Sequence, residues 1–270
     1  MARVLLTGSS GGVGRAARPV LEAAGWAVEP FDLTDGQDLR DEAAVLRAMQ
    51  GCEAVVHAGA LAHDSAGTPA EIVATNLLGT WHVLQAAGTC SVSRVVYCSS
   101  AQVFGFAEGE GTPACLPVDD THPLRAARPY GLSKRLAEDM CAAWTSRTGI
   151  LTIVLRPVMV LTDPALLQVT ETEAELGAFV HVDDVATAVL RALSVKPDGH
   201  IRLTLCGPGQ FDTSATRQIL GWTPGRGWPS RGSFSMTRYW RACDGATDGP
   251  YQIALDAELL ATSQRCLTRH

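Results

Sequence analysis

The sequence predicts a doubly wound α/β fold, a parallel sheet covered by helices on both faces. Three observations carry that prediction. Apolar runs of four to six residues alternate with amphipathic stretches up to about residue 160, as expected for strands buried on both sides. A glycine-rich turn, "TGSSGGVG", follows the first of these runs directly. The chain's 270 residues suit one large domain with a small appended portion.

The elements follow in order. "RVLLT" is a strand, and residues 13–24 carry a helical alanine and leucine pattern. "AVEPF" is a second strand, "DEAAVLRAMQ" a helix and "EAVVHAG" a third strand. "AEIVATNLLGTWHVLQAAG" has the period and length of one long helix, and "SRVVYCSS" is a fourth strand. Tyr130 to Arg147 reads as a helix and "ILTIVLRPV" as a fifth strand. After Pro157 the pattern loosens: residues 162–178 are polar or irregular, "VDDVATAVLRAL" is a helix and "IRLTLCG" a strand. From Gly221 the chain is rich in Gly, Arg, Pro and Trp, with a short helix expected near "ALDAELLATS". The expected organisation is a core over residues 1–160 and a small substrate-side portion over 161–270, of which 179–206 returns to the core. No internal repeat is visible.

Composition narrows the function. Apolar residues make up 46 % and the net charge is −6 without a basic stripe, which argues against a nucleic-acid partner. No apolar run is long enough to span a bilayer. "MARVLLTGSS" is too short in its apolar part for a signal peptide, so a cytoplasmic protein is expected. The eight cysteines are scattered without a C-x-x-C pair, and the seven histidines lack metal-ligand spacing; no metal site is expected.

The turn carries the first chemistry. Thr7, Gly8, Gly11 and Gly14 form T-G-x-x-G-x-x-G between a strand and a helix, with Gly12 and Val13 inside it. Glycines let backbone N–H groups approach a pyrophosphate at a helix N-terminus, where the helix dipole favours negative charge. The context is that of a Rossmann-type nucleotide site. Asp32 ends the second strand eighteen residues past Gly14. A carboxylate there accepts from the adenosine ribose hydroxyls and repels a 2′-phosphate, so NAD is expected, with NADP left open because Arg15 could soften the preference. Asp38 and Leu39 are placed beside the adenine.

The second chemistry lies in "RPYGLSKRLAED". Lys134 is one of two lysines, the other being Lys196, against twenty arginines. A lysine retained in such a chain suggests chemistry that a planar, permanently charged guanidinium does not supply. Tyr130 and Lys134 are four residues apart and share one helix face, and Pro129 pre-sets the helix start. An ammonium near the phenol favours the phenolate.

In order along the chain, "TGSSGGVG", "FD", "DL", "AVVHAGA", "NLLGTWHVLQAA", "VVYCSSAQVFG", "PYGLSK", "LRPV", "FVHVDDVA" and "LGWTP" cover most of residues 3–225. Together they resemble the extended short-chain dehydrogenase/reductases, the NAD-dependent epimerase/dehydratase family. In length the chain is similar to short members such as uronate dehydrogenases. The resemblance implies an NAD(P)-dependent oxidoreductase with Tyr130 as general acid/base, Lys134 as its partner and a contact to the nicotinamide ribose, and Ser100 as the hydroxyl holding the substrate oxygen. Ser99 competes for that last role, although the spacing to Gly105 favours Ser100. It also implies that Ala58 lies near the adenosine half, that Pro157 and Val158 touch the nicotinamide, and that Ala101 and Gln102 face substrate beside Ser100 and Tyr130. Asn76 is expected either to brace the active-site strand by hydrogen bonding or to be a polar residue in the helix interior, and His57, His181, Asp183 and Asp184 to be structural. A small-molecule substrate follows, and a homodimer is compatible with the resemblance.

The departures matter too. Ala101 and Gln102 stand where related dehydratases carry an acidic pair, and neither can act as acid or base. About sixteen residues separate "LRPVMVLT" from "FVHVDD", short for a nucleotide-sugar clamp. The expected substrate is therefore a sugar, a uronic acid or a cyclic ketone, with a nucleotide-sugar epimerase or a silent NAD-binding regulator as alternatives. Trp222, Trp228, Phe234, Tyr239 and Trp240 are expected in the core or at a contact between copies rather than in an aromatic pocket.

Overall fold

The computed structural model describes residues 1–106, 113–161, 179–207 and 210–226. Six parallel strands form the main sheet: β1 (Arg3–Thr7), β2 (Ala27–Phe31), β3 (Ala54–His57), β4 (Arg94–Cys98), β5 (Leu151–Pro157) and β8 (His200–Leu205), in the order 2-1-3-4-5-8. This is the doubly wound sheet that the alternating apolar runs predict. The direction of winding reverses at β1, between β2 and β3, which opens a crevice at the strands' C-terminal ends, where ligands of open α/β sheets bind.

Alternation along the strands sorts the core into two layers. Val4, Leu6, Val56, Val96, Ile153 and Leu155 face one side, beneath α1 (Gly12–Ala23) and α6 (Val182–Ser194). Leu5, Val55, Val95, Tyr97 and Val154 face the other, beneath α2 (Glu42–Met49), α4 (Gly79–Thr89) and α5 (Pro129–Thr148). A parallel strand with both faces covered must be apolar at successive positions.

Two details differ from the sequence expectation. The long helix after β3 is one helical run with a wider turn inside it: α3 (Pro69–Val73) passes through the π-helical stretch Ala74–Leu78 into α4. Such a widening re-aims side chains, and the buried Asn76 sits in it. Beyond β5, the short strands β6 (Met159–Leu161) and β7 (Phe179–His181) pair in a separate two-stranded sheet, and α7 (Ser214–Leu220) follows β8. Three-residue strands and a seven-residue helix carry too few periods to read from sequence.

Trp222 lies in the core, and its indole N–H donates to the Asp184 carbonyl (2.9 Å) and the Thr187 hydroxyl (3.1 Å). The Asp184 carboxylate accepts from the backbone N–H groups of Gly225 (2.8 Å) and Arg226 (3.2 Å), and the Asp183 carboxylate pairs with Arg226. These residues anchor "LGWTPGR" on α6. Trp228, Phe234, Tyr239, Trp240 and the helix expected near "ALDAELLATS" lie outside the described residues. Among the described residues, no helix is long and apolar enough to cross a membrane and no acidic, His or Cys group could hold a metal ion. Six cysteines lie among the described residues, four of them buried.

Candidate active site at the C-terminal edge of the sheet

The glycine turn is shaped by backbone contacts. A Cβ on Gly14 would sit 2.1 Å from the Gly8 carbonyl oxygen, and one on Gly8 would sit 2.6 Å from the Gly59 nitrogen. Gly8 also has φ +68°, a left-handed conformation that favours glycine. Gly12 faces open space. Gly11 is the N-cap of α1 and supplies no side-chain cap, so the first-turn N–H groups around Gly12 and Val13 remain available to an anion. The residues present therefore fit a dinucleotide pyrophosphate.

Asp32 stands just past β2 at the rim of this turn. Its Oδ2 accepts from the Ser10 N–H, and its Oδ1 from both the N–H and the hydroxyl of Thr34, all at 3.0 Å. Burial works to raise its pKa, but these donors together outweigh it and hold the carboxyl below its usual value. One acceptor position on Oδ2 remains for a ribose hydroxyl. Asp38 is drawn into a bidentate pair with Arg40, the shortest contact 2.6 Å. Leu39 is buried, with its side chain packed close to Gly59 and Gly79. Ala58 follows β3, its N–H donating to the Thr7 carbonyl at 3.2 Å.

His57 is structural, and its tautomer can be deduced. The Thr80 hydroxyl donates to the Asn76 carbonyl, so it accepts from His57 Nε2–H at 2.9 Å. Nδ1 then accepts from the Thr7 hydroxyl at 2.6 Å, whose own oxygen accepts from the Gly59 N–H at 3.1 Å. Burial, aided by the Lys134 charge, pushes the imidazole down to about 3. It is a neutral link between the glycine turn and the helix after β3.

At the end of β4 the two serines have different partners. The Ser99 hydroxyl donates to Glu138 Oε1 at 2.6 Å and is buried. Ser100 caps the short 3-10 turn Ala101–Phe104, its Oγ accepting from the Gln102 N–H at 3.1 Å. Its hydroxyl hydrogen is left to donate elsewhere. Ala101 and Gln102 are half-buried on that turn, and Phe104 below them packs against Phe106, His122 and Phe211.

Helix α5 buries Tyr130, Ser133, Lys134, Ala137, Glu138 and Cys141 along one stripe, the i, i+3, i+4 pattern of a helix facing a sheet. Lys134 Nζ donates to the Cys98 carbonyl at 2.7 Å and lies 4.8 Å from the Tyr97 ring centroid. Burial pushes its ammonium down to about 8, against the opposing influence of Cys98, Glu138 and Cys141. Pro157 is buried as the last residue of β5, directly after Arg156.

Sequence reasoning missed the residues that hold this side of the cleft together. Glu138 is fully buried and pairs with Arg156 through Nη2 (2.6 Å) and Nε (3.0 Å) while accepting from Ser99. Arg202 Nε lies 3.1 Å from the same carboxylate, close enough for an ion pair though not aimed as a hydrogen bond. Arg156 Nη1 donates to the Asp120 carbonyl at 3.0 Å. This cluster ties α5, the end of β4 and the end of β5 together. A glutamate four residues after Lys134, between Ala137 and Cys141, is a charge on the apolar stripe, and that was the available signal. Asn76 braces different groups from those expected. It binds both backbone groups of Leu61 and donates to the Ser133 hydroxyl at 3.0 Å, so it holds the loop after β3 and helix α5 rather than the active-site strand.

The reversal of winding at β1, the glycine turn and the acidic rim residue define an α/β enzyme fold that takes a dinucleotide cofactor. The model of the NAD dependent epimerase/dehydratase family matches residues 4–163. The chain belongs to that family and is an NAD-dependent enzyme of the extended short-chain dehydrogenase/reductase type. A uronate dehydrogenase of Pseudomonas syringae pv. tomato is 29 % identical over 210 residues, 73 % of this chain and 72 % of the relative. An L-arabinose 1-dehydrogenase (NAD(P)(+)) of Haloferax volcanii is 25 % identical over 83 % of this chain and 96 % of its own length. The solved structure of a mutated uronate dehydrogenase superposes with a TM-score of 0.70 at 26 % identity, covering 92 % of this chain and 88 % of that one. A UDP-glucose 4-epimerase of Thermotoga maritima shares the fold, with a TM-score of 0.73 at 19 % identity over 89 % of this chain and 99 % of that one.

Proposed function

We propose that the protein is an NAD-dependent dehydrogenase of a free sugar or sugar acid, with Tyr130 as the general base, Lys134 as its tuning cation and Ser100 as the hydroxyl that holds the reacting oxygen. The observation that carries this reading is Lys134. In a chain whose other basic residues are almost all arginine, this lysine is buried one helical turn after Tyr130, with Nζ on the Cys98 carbonyl. The two kinds of sugar dehydrogenase among the relatives support the substrate class.

The glycine turn would hold the pyrophosphate, Asp32 the adenosine ribose, and Lys134 and Pro157 the nicotinamide end. Bound NAD supplies a hydride acceptor at nicotinamide C4. Ser100 donates its free hydrogen to the substrate oxygen. Tyr130, ionised with the support of the Lys134 ammonium, takes the proton of the substrate hydroxyl as hydride leaves the same carbon. In the reverse direction the phenol returns that proton to the carbonyl. Ala101 and Gln102 offer no acid or base, so elimination of water is not expected. The Asp32 charge favours NAD over NADP.

The shared fold of UDP-glucose 4-epimerases favours a second reading, in which NAD stays bound and is recycled. The nucleotide content of freshly purified protein separates the two. An empty protein that forms NADH with aldoses or uronic acids supports the dehydrogenase. Near-stoichiometric NAD without net NADH formation supports the epimerase. Tyr130→Phe should lower kcat by about 10²–10⁴-fold, and unchanged turnover would remove Tyr130 from the role. The substrate panel should include cyclic ketones with NADH. Val73, Leu78, Trp81 and Leu136 are exposed apolar side chains along α3, the π-helical stretch, α4 and α5. A second copy of this chain is their proposed partner, and sedimentation velocity of the intact protein tests it.

A further inference from the structure

Helix α5 does not cap itself. Ser, Thr, Asp or Asn normally fills the N-cap and satisfies the first free N–H groups. Here Arg128 occupies that place with extended backbone and its side chain makes no capping bond. Pro129 has no N–H to satisfy. The first N–H of the helix is therefore that of Tyr130, and it donates to Asp64 Oδ1 at 2.8 Å, across 66 residues of sequence.

Asp64 opens a short 3-10 turn, Asp64–Ala66, in the loop after β3. That loop is held in place. Asn76 accepts from the Leu61 N–H at 2.8 Å and donates to the Leu61 carbonyl at 3.0 Å. Its amide also reaches the Ser133 hydroxyl, which donates to the Tyr130 carbonyl at 2.7 Å. Both backbone polar groups of Tyr130 are thus bound by side chains that Asn76 and its loop secure. A carboxylate at this end of α5 is also favoured by the positive pole of the helix dipole.

We infer that Asp64 is a positioning residue: it caps α5 from outside and fixes the backbone from which Tyr130 reaches the substrate. The inference rests on the tyrosine reading above. The Asp64 carboxylate takes no part in proton transfer, and its effect runs through the placement of Tyr130. Misplacing a reacting group by about 1 Å costs rates on the order of 100-fold, so even partial loosening of this turn should be measurable.

The test compares Asp64→Ala with Asp64→Asn, which keeps an oxygen acceptor at the same reach. Three quantities are measured: hydrogen exchange at the Tyr130 amide in the ligand-free chain, NADH affinity by fluorescence, and kcat against KM. Asp64→Ala should speed exchange at Tyr130 and lower kcat by about 10-fold, with NADH affinity and KM within about twofold of the parent. Asp64→Asn should restore both exchange and kcat. Should Asp64→Ala fold poorly, Asp64→Ser, with its shorter acceptor, should fall between parent and full loss in both readouts. Unchanged exchange in Asp64→Ala overturns the cap. So does a loss of kcat matched by an equal loss of NADH affinity, or an Asn variant no better than Ala. The outcome of Tyr130→Phe is read separately: if that variant keeps its turnover, the tyrosine reading fails, while exchange at the Tyr130 amide still decides whether Asp64 caps the helix.

Discussion

The two halves of the cleft are built in different ways. The glycine turn spans eight consecutive residues, Thr7 to Gly14, and its close contacts are all with backbone, Gly14 against Gly8 within the turn and Gly8 against Gly59 beside it. The tyrosine side is made by side chains from distant segments. Ser99 meets Glu138, Arg156 meets Glu138, and Asp64 meets Tyr130, at separations of 39, 18 and 66 residues. The comparison teaches that a phosphate site needs dipoles and space, which glycines supply locally. A proton-transfer site, as proposed for Tyr130, needs a held geometry, and a buried network fixes the segments around it.

The largest effect expected from breaking that contrast is on the network. Glu138→Ala leaves Arg156 buried without its counter-ion, and removing one partner of such a pair costs about 3–5 kcal/mol. Urea unfolding should show the loss. A cost below about 1 kcal/mol would mean that the pair is not what joins α5 to the strand ends. The glycine turn should fail differently. In Gly14→Ala the new Cβ would sit 2.1 Å from the Gly8 carbonyl. NADH affinity should fall by on the order of 100-fold, about 2.8 kcal/mol, while the tyrosine side stays folded. Fluorescence titration with NADH reads the first effect, and amide exchange along α5 reads the second.

The last effect sharpens the link between the halves. His57 is held neutral at about 3 in the folded chain, against an unfolded value of 6.5. The unfolded chain therefore binds a proton first as pH falls. Stability from this group is complete above pH 6.5 and drains away as pH drops toward 3, with the slope of up to one proton. His57→Leu should flatten the acid limb of the stability curve by that slope, as measured by urea unfolding between pH 7 and 4. His200, lowered to about 4 by burial, keeps its own share of the limb in both proteins.

Legibility followed the same divide. The strands were readable because each apolar run covers both faces of a parallel sheet, and "TGSSGGVG" was readable because its glycine spacing lies within eight consecutive residues. "PYGLSK" marked Tyr130 and Lys134 through helix spacing. Asp64 was not readable. Its partner lies across 66 residues, and the nearest hint was negative, an arginine where a capping side chain belongs. Ser99 and Ser100 were adjacent and chemically identical in the sequence. Only the direction of the strand end sends one hydroxyl to Glu138 and leaves the other to cap the next turn.

By itself, then, the sequence determined the doubly wound class, the glycine turn and the pairing of a tyrosine with a lysine on one helix face. These depend on interactions within a turn or a single element, whose geometry follows from residue spacing. The tertiary structure decided which serine is tied to Glu138, what buries and depresses Lys134, what anchors "LGWTPGR", and what meets the first N–H of the helix that carries Tyr130. Those depend on which distant segments share a desolvated interior, where every charge and N–H must find a partner.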